Sequence, residues 1–312
     1  MALLFLNPHE SAEAAERWRQ LMLRLDPTID FRRWPETGPI EEIEFAMVWR
    51  PPAGELRRYP NLKAIFSLGA GVDGLLRDPD LPRDVPIVRL VDRGLTASMT
   101  EYVLLHVLRY HRRVPELEEL QRQRRWVELD YPLPWERKVG IMGLGVLGGD
   151  AATKLADLGF DVAGWSRSPK RLSNVTCFHG PDGLVPFLAR SEILVCLLPL
   201  TAETAGILDA RCFAALPRGA AVINAARGGH LVEKDLLEAL ESGQVAYATL
   251  DVFAEEPLPP EHPFWTHPRV TVTPHIASAT PPQTAAETIF RGMCLAREGK
   301  PLENVVDLAN GY

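Results

Sequence analysis

A glycine-rich hexad, Gly143-Leu144-Gly145-Val146-Leu147-Gly148, continues the strand-like run Lys138 to Gly143 and precedes a helix-like stretch, Asp150 to Gly159. A strand that enters G-x-G-x-x-G and leaves as a helix folds as the first turn of a parallel βαβ unit. Glycine there permits a tight turn and lets a pyrophosphate approach the backbone. The helix N-terminus, with its partial charge of roughly +0.5, faces that anion. Alone the hexad is weak, since a glycine turn without ligand has the same letters; the flanking strand and helix give it weight.

The rest of the chain repeats the strand-then-helix rhythm. Strands are predicted at Val162 to Trp165, Ile193 to Leu198, Ala221 to Ala225, Ala246 to Val252 and Val270 to Thr273. With the run before the hexad they make six, the count of a doubly wound nucleotide fold. The first hundred residues carry four more, Leu3 to Asn7, Phe45 to Trp49, Leu62 to Leu68 and Ile87 to Leu90, which favours a smaller parallel α/β unit. Gly69-Ala70-Gly71-Val72-Asp73-Gly74 is either an anion-facing turn or a plain strand-to-helix turn. From Thr96 to about Trp126 the pattern is helical, with Met99, Val103, Val107 and Leu108 on one face. Pro132 and Pro134 end that stretch, and Pro281 to Arg297 forms a last helix.

A chain of 312 residues exceeds what one core usually fills, so two domains are expected. The fold class is α/β with two doubly wound parallel sheets, a Rossmann cofactor domain at 98–280 inserted into a flavodoxin-like substrate domain at 1–97 and 281–312. A net charge of −7 gives no general attraction to nucleic acid or acidic membranes. The cluster Arg122, Arg124, Arg125 lies among glutamates and reads as a solvated or subunit-facing surface. Cys177, Cys196, Cys212 and Cys294 are scattered without ligand spacing, so they read as reduced thiols, Cys196 as a buried one, and no metal site is expected. The N-terminal apolar run is too short for a secretory signal, and no run reaches membrane length, so the cytoplasm is the default.

Three polar residues then end successive strands: Arg227 in Ile223-Asn224-Ala225-Ala226-Arg227-Gly228-Gly229, Glu256 in Asp251-Val252-Phe253-Ala254-Glu255-Glu256-Pro257, and His275 in Thr273-Pro274-His275. In open parallel sheets ligands bind outside the carboxyl ends of the strands. A guanidinium grips a carboxylate, an imidazole moves a proton near neutral pH, and a neighbouring carboxylate favours the charged imidazole. Singly, each has a bland reading: an ion pair, a loop acid, a turn cap. About twenty residues past the hexad, where an NAD site carries an acid for the ribose, stands Gly164-Trp165-Ser166-Arg167-Ser168-Pro169-Lys170. Ser166, Arg167, Ser168 and Lys170 suit a 2′-phosphate, so NADP(H) is preferred and NAD(H) remains usable; the bland reading is surface cations.

Together, Gly143 to Gly148, Leu198-Pro199-Leu200-Thr201, Asn224 to Gly228, Asp251-Val252-Phe253 with Glu256-Pro257-Leu258, and Thr273-Pro274-His275 resemble the D-isomer-specific 2-hydroxyacid dehydrogenases over nearly the whole chain. Val48-Trp49-Arg50-Pro51-Pro52, Leu68 to Asp73, Trp165-Ser166-Arg167 and Gly311-Tyr312 most resemble the bacterial glyoxylate/hydroxypyruvate reductase A group. The resemblance implies that Arg227 binds the substrate carboxylate, His275 protonates the keto oxygen and Glu256 pairs with His275. It implies backbone N–H groups of Ala70 and Gly71 on the carboxylate, Trp49 beside the substrate, Asp251 on the nicotinamide carboxamide, and Ala277 and Ser278 near that ring. Gly143, Gly145, Val146, Leu147, Gly148, Leu198, Pro199, Ala225 and Ala226 would complete the cofactor site. Trp126 either reaches a neighbouring subunit or, as the favoured reading, packs in the core. The expected activity is NADPH-preferring reduction of a small 2-keto acid to the D-2-hydroxy acid, in a homodimer. The alternatives are a family dehydrogenase for another acid and a non-catalytic dinucleotide sensor of corepressor type.

Overall fold

The computed structural model describes residues 1–312, which divide into two compact units, Met1–Leu95 with Thr280–Tyr312, and Thr96–Ala279. The first unit opens with β1 (Ala2–Leu6), α1 (Ala12–Leu25), β2 (Asp30–Arg33), β3 (Ile43–Val48), β4 (Ala64–Ser67), the single turn α2 (Asp73–Leu76) and β5 (Ile87–Val88). Its five strands are all parallel in the order β2-β1-β3-β4-β5. Central strands β1, β3 and β4 are apolar almost throughout because both faces are covered. Helix α1 shows why these residues coil. Ser11 caps it by accepting from the Ala14 N–H at 3.1 Å, Glu13 and Arg24 complement its ends, and Ala15, Trp18 and Met22 bury one face.

Helix α3 (Arg93–His111) starts in the last residues of this unit, and α4 (Val114–Arg122) follows. The second unit continues with β6 (Lys138–Met142), α5 (Val146–Asp157), β7 (Asp161–Ser166), β8 (Val175–His179), α6 (Gly180–Arg190), β9 (Ile193–Cys196), α7 (Ala210–Ala215), β10 (Ala220–Asn224), α8 (Glu233–Glu241), β11 (Val245–Leu250) and β12 (Val270–Val272). Its seven strands run parallel in the order β12-β11-β10-β9-β6-β7-β8. The direction of winding reverses between β6 and β9, which is where this topology opens a crevice. One apolar layer joins Met142, Phe187, Leu194, Phe213, Val222 and Leu250, and the opposite layer joins Val103, Val139, Ile141, Leu155, Val195 and Ile223. Full burial of each such side chain contributes roughly 1.5–3 kcal/mol. The chain then returns to the first unit as α9 (Pro282–Arg297), which packs on α1 and β4, with Gly292 seated against the Phe66 ring.

Four sequence expectations need correction. Each sheet has one more strand than expected, β2 and β8; both are edge strands with polar, half-exposed faces, so neither carries an apolar run. The stretch from Thr96 to Trp126 is two helices, because Arg113 takes the left-handed conformation (φ 56°) and Pro115 fits only a first helical turn. Leu108 faces outward at 39% exposure, whereas Met99, Val103 and Val107 are buried. Helix α5 begins at Val146, so Gly148 and Gly149 lie inside it. A Cβ on Gly148 would stand 1.8 Å from the Gly143 carbonyl oxygen, so close approach of the helix to β6 outweighs the roughly 1 kcal/mol helix penalty of glycine. No helix is long and apolar enough to cross a membrane.

Candidate active site

The carboxyl ends of the second sheet carry nearly every polar residue singled out above. After β6, Gly143 adopts φ +99° and packs on the Leu197 carbonyl, which excludes any side chain there. Gly145 instead faces open space: a Cβ built on it meets nothing within 4 Å. It is the N-cap of α5 and supplies no side chain to the helix's first N–H groups. This is the arrangement an anionic pyrophosphate needs, a bare backbone rim at a helix N-terminus, so these residues fit a dinucleotide. Val146 is exposed beside it.

At the end of β7 the four residues expected to face a 2′-phosphate separate. Ser166 is buried and its hydroxyl donates to the Ser168 carbonyl at 2.8 Å, so its proton shapes the turn. Arg167, Ser168 and Lys170 are exposed on that turn. Leu198 and Pro199 follow β9, and Ala225 and Ala226 follow β10, with Leu198, Ala225 and Ala226 buried. Cys196, at the end of β9, is fully buried, and burial pushes its thiol up to about 12, so it carries no reactive thiolate.

His275 and Glu256 meet directly: Nδ1 of the imidazole lies 2.9 Å from Oε2 of the carboxylate. The other carboxylate oxygen of Glu256 accepts from the Phe253 N–H at 3.2 Å, which fixes the acid on its own loop. His275 sits at φ +55°, a region costly for a side chain with a Cβ, so its turn must be held from outside. Asp251 does this. At 1% exposure, it accepts from Thr273 Oγ1 (2.6 Å), the Ile276 N–H (2.9 Å) and the Ala277 N–H (2.8 Å), while its carbonyl accepts from the His275 N–H (2.8 Å). The Tyr102 hydroxyl lies 2.7 Å from Thr273 Oγ1 and ties the turn to α3.

Arg227 reaches this group through its neighbour. A Cβ on Gly228 would stand 1.9 Å from the Phe253 carbonyl carbon and 2.4 Å from the Ala254 nitrogen, so the two loops touch backbone to backbone. The Arg227 side chain is half-buried, and its Nη1 donates to the Ala226 carbonyl at 2.7 Å. Its own carbonyl accepts from Asn224 Nδ2 at 3.1 Å and from the His230 N–H at 3.2 Å. Sequence reasoning missed Asn224, Gly228, His230 and Thr273 as members of this cluster, although all lie within the quoted motifs or directly after them.

In the first unit, Trp49, Ala70 and Gly71 follow the neighbouring strands β3 and β4 and are partly exposed. Gly69 lies flat on the Trp49 ring, where a Cβ would stand 2.4 Å from Cζ3, and the Arg50 guanidinium carbon lies 5.8 Å from the ring centroid. Trp126 overturns the expectation of core packing: it is 98% exposed, because α4 ends at Arg122 and residues 123–133 carry no strand or helix.

Residues 104–277 match the NAD binding domain of the D-isomer specific 2-hydroxyacid dehydrogenases. A curated relative named glyoxylate/hydroxypyruvate reductase A, from Serratia proteamaculans, is 46% identical over 317 aligned positions, covering 100% of both chains. A D-isomer specific 2-hydroxyacid dehydrogenase from Xanthobacter autotrophicus, solved with NADPH and MES, superposes with a TM-score of 0.95 at 45% identity, covering 100% of this chain and 99% of that one. The NADPH-dependent glyoxylate/hydroxypyruvate reductase of Sinorhizobium meliloti, solved with NADP and sulfate, gives 0.93 at 40% identity with the same coverage. With the dinucleotide-ready rim, these matches make the chain an NAD(P)-dependent oxidoreductase, and it belongs to the D-isomer-specific 2-hydroxyacid dehydrogenase family.

Proposed function

We propose that this protein reduces small 2-keto acids, glyoxylate and hydroxypyruvate, to their D-2-hydroxy acids with NADPH in preference to NADH. The observation that carries the proposal is the His275–Glu256 pair at 2.9 Å on loops adjoining Arg227, in the unit that also holds the glycine rim. The names of the Serratia and Sinorhizobium proteins, similar over their full lengths, support the substrate class.

Arg227 holds the substrate carboxylate, since a guanidinium offers paired donors to a planar anion. With Nδ1 committed to Glu256, the imidazole of His275 has Nε2 for the keto oxygen. It gives up its proton there as negative charge grows on that oxygen, and the Glu256 carboxylate stabilises the charged ring before transfer. Asp251 keeps His275 at its positive φ and, with carboxylate lone pairs beyond the three donors described, also accepts from the carboxamide. Ala277 and Ser278 lie next along the same turn and flank the ring. When bound, the nicotinamide supplies the hydride to the keto carbon. Gly143, Gly145, Val146, Leu147 and Gly148 hold its pyrophosphate, and Leu198, Pro199, Ala225 and Ala226 line its path. Arg167, Ser168 and Lys170 bind the 2′-phosphate, with Ser166 shaping their turn. Trp49, Ala70 and Gly71 keep the substrate-contact role that the family resemblance gives them. The cofactor role goes to the second unit, which also holds Arg227, Glu256 and His275. The working protein is a cytoplasmic homodimer that needs no nucleic acid.

The test is a panel of 2-keto acids assayed with NADPH and NADH, with the product's configuration assigned by chiral chromatography. Two charge-assisted contacts to the 2′-phosphate predict kcat/KM at least about 100-fold higher with NADPH. A higher kcat/KM with NADH, an L-product, or turnover confined to larger keto acids would overturn the reading.

A further inference from the structure

His230 ends the short turn after Arg227, is fully buried, and takes part in no step above. Its ring stands between two main-chain carbonyls: Nδ1 lies 3.1 Å from the oxygen of Arg227, and Nε2 lies 3.3 Å from the oxygen of Pro199. Those carbonyls belong to loops leaving the neighbouring strands β10 and β9. The turn itself does not need the ring, because its far side is already fastened. Gly206 N–H donates to the Gly229 carbonyl at 2.9 Å, and Leu208 N–H donates to the His230 carbonyl at 2.9 Å. Space alone does not call for an imidazole either, since a buried polar ring is costly unless its nitrogens find partners. Both partners here are acceptors and a neutral imidazole carries a single N–H, so the ring donates to one of them, and the shorter approach is the one from Nδ1 to Arg227.

We propose that His230 is a positioning residue whose Nδ1–H holds the Arg227 main chain, with the ring seated against the Pro199 loop, and so sets where the guanidinium meets the substrate carboxylate. The inference rests on the reading of Arg227 as the carboxylate ligand, and it makes the Arg227 side of the ring the one that substrate feels.

Three substitutions separate this role from packing. The amide nitrogen of Asn reaches the Nδ1 position and restores the Arg227 contact alone, whereas that of Gln reaches the Nε2 position and restores the Pro199 contact alone. With glyoxylate as substrate at saturating NADPH, His230→Ala raises KM about tenfold, the worth of one lost hydrogen bond to a charged or buried partner, with a smaller fall in kcat. His230→Asn returns KM to within about threefold of the parent, and His230→Gln stays near the Ala value. Melting curves of all three accompany the kinetics. Any other ranking of Asn and Gln overturns this role, as does an unchanged KM in His230→Ala with only the melting temperature lowered. Arg227→Ala distinguishes the two levels of failure. If it raises KM while the His230 series is flat, the role of His230 alone is wrong; if it leaves KM unmoved, the Arg227 assignment falls and the role of His230 with it.

Discussion

Gly228→Ala is the smallest change that separates the two loops on which the proposed chemistry depends. The added Cβ would stand 1.9 Å from the Phe253 carbonyl carbon and 2.0 Å from its oxygen. Ordinary contact begins near 3.4 Å, and neither neighbour is a flexible side-chain end. The Arg227 loop and the Phe253 loop must therefore part by about 1.5 Å, and a misplacement of about 1 Å already costs about 100-fold in rate. Overpacking of this kind also destabilises by roughly 1–3 kcal/mol, a shift of several degrees in Tm rather than loss of the fold. The prediction is a fall of at least about 100-fold in kcat/KM for glyoxylate. The Kd for NADPH, measured by nucleotide fluorescence, stays within about threefold because the glycine rim and the 166–170 turn belong to the β6–α5–β7 half of the sheet. Gly229→Ala is the matched control. Its Cβ meets only the end of the flexible Leu200 side chain at 3.0 Å, so kcat/KM changes by no more than about fivefold. Near-parental activity in folded Gly228→Ala, or equal losses in both variants, would refute the loop-contact argument.

Two further predictions follow from individual groups. Glu256→Gln keeps the shape of the acid but removes the carboxylate 2.9 Å from Nδ1 of His275, so the ring loses the partner that orients and charge-stabilises it. kcat for reduction falls by at least about tenfold while NADPH binding stays near parental, and an unchanged kcat would dissolve the pair's catalytic meaning. His106, buried on α3 and 3.3 Å from Thr249 Oγ1, is pushed down to about 4 by burial and by the charge of Arg109. Its folded value lies below the unfolded one near 6.5, so the unfolded chain binds the proton more tightly between those values. The stability from the neutral ring is complete above about 6.5 and drains away toward 4. His106→Asn therefore flattens the fall in Tm between neutral and mildly acidic buffer, and an unaltered slope would show that another group governs it.

The central strands were legible because strands buried on both faces must be continuous apolar runs, and β1, β3, β4, β6, β9, β10 and β11 are such runs. Edge strands β2 and β8 were not, since Asp30-Phe31-Arg32-Arg33 and Val175-Thr176-Cys177-Phe178-His179 answer to water on one side. The helix break at Arg113 depends on one residue's backbone state, which residue identity does not announce, although Pro115 two positions later marks its neighbourhood. Within the site, residues with distinctive chemistry at strand ends were readable: Arg227, Glu256, His275 and the glycines. Those acting through geometry were not. Gly228 matters because of what another loop brings against it, and Thr273 because of where Asp251 and Tyr102 happen to lie. His230 is one of eight histidines, and only the fold sets its ring between two carbonyls.

The proposed proton donor for reduction is His275, and single-turnover NADPH oxidation by His275→Gln with glyoxylate probes that assignment. Cofactor binding should stay near parental strength while the rate constant for turnover falls by about 100-fold to 10,000-fold, the span a positioned proton donor supplies. A rate constant within a few-fold of the parent, with NADPH bound as tightly, would contradict it.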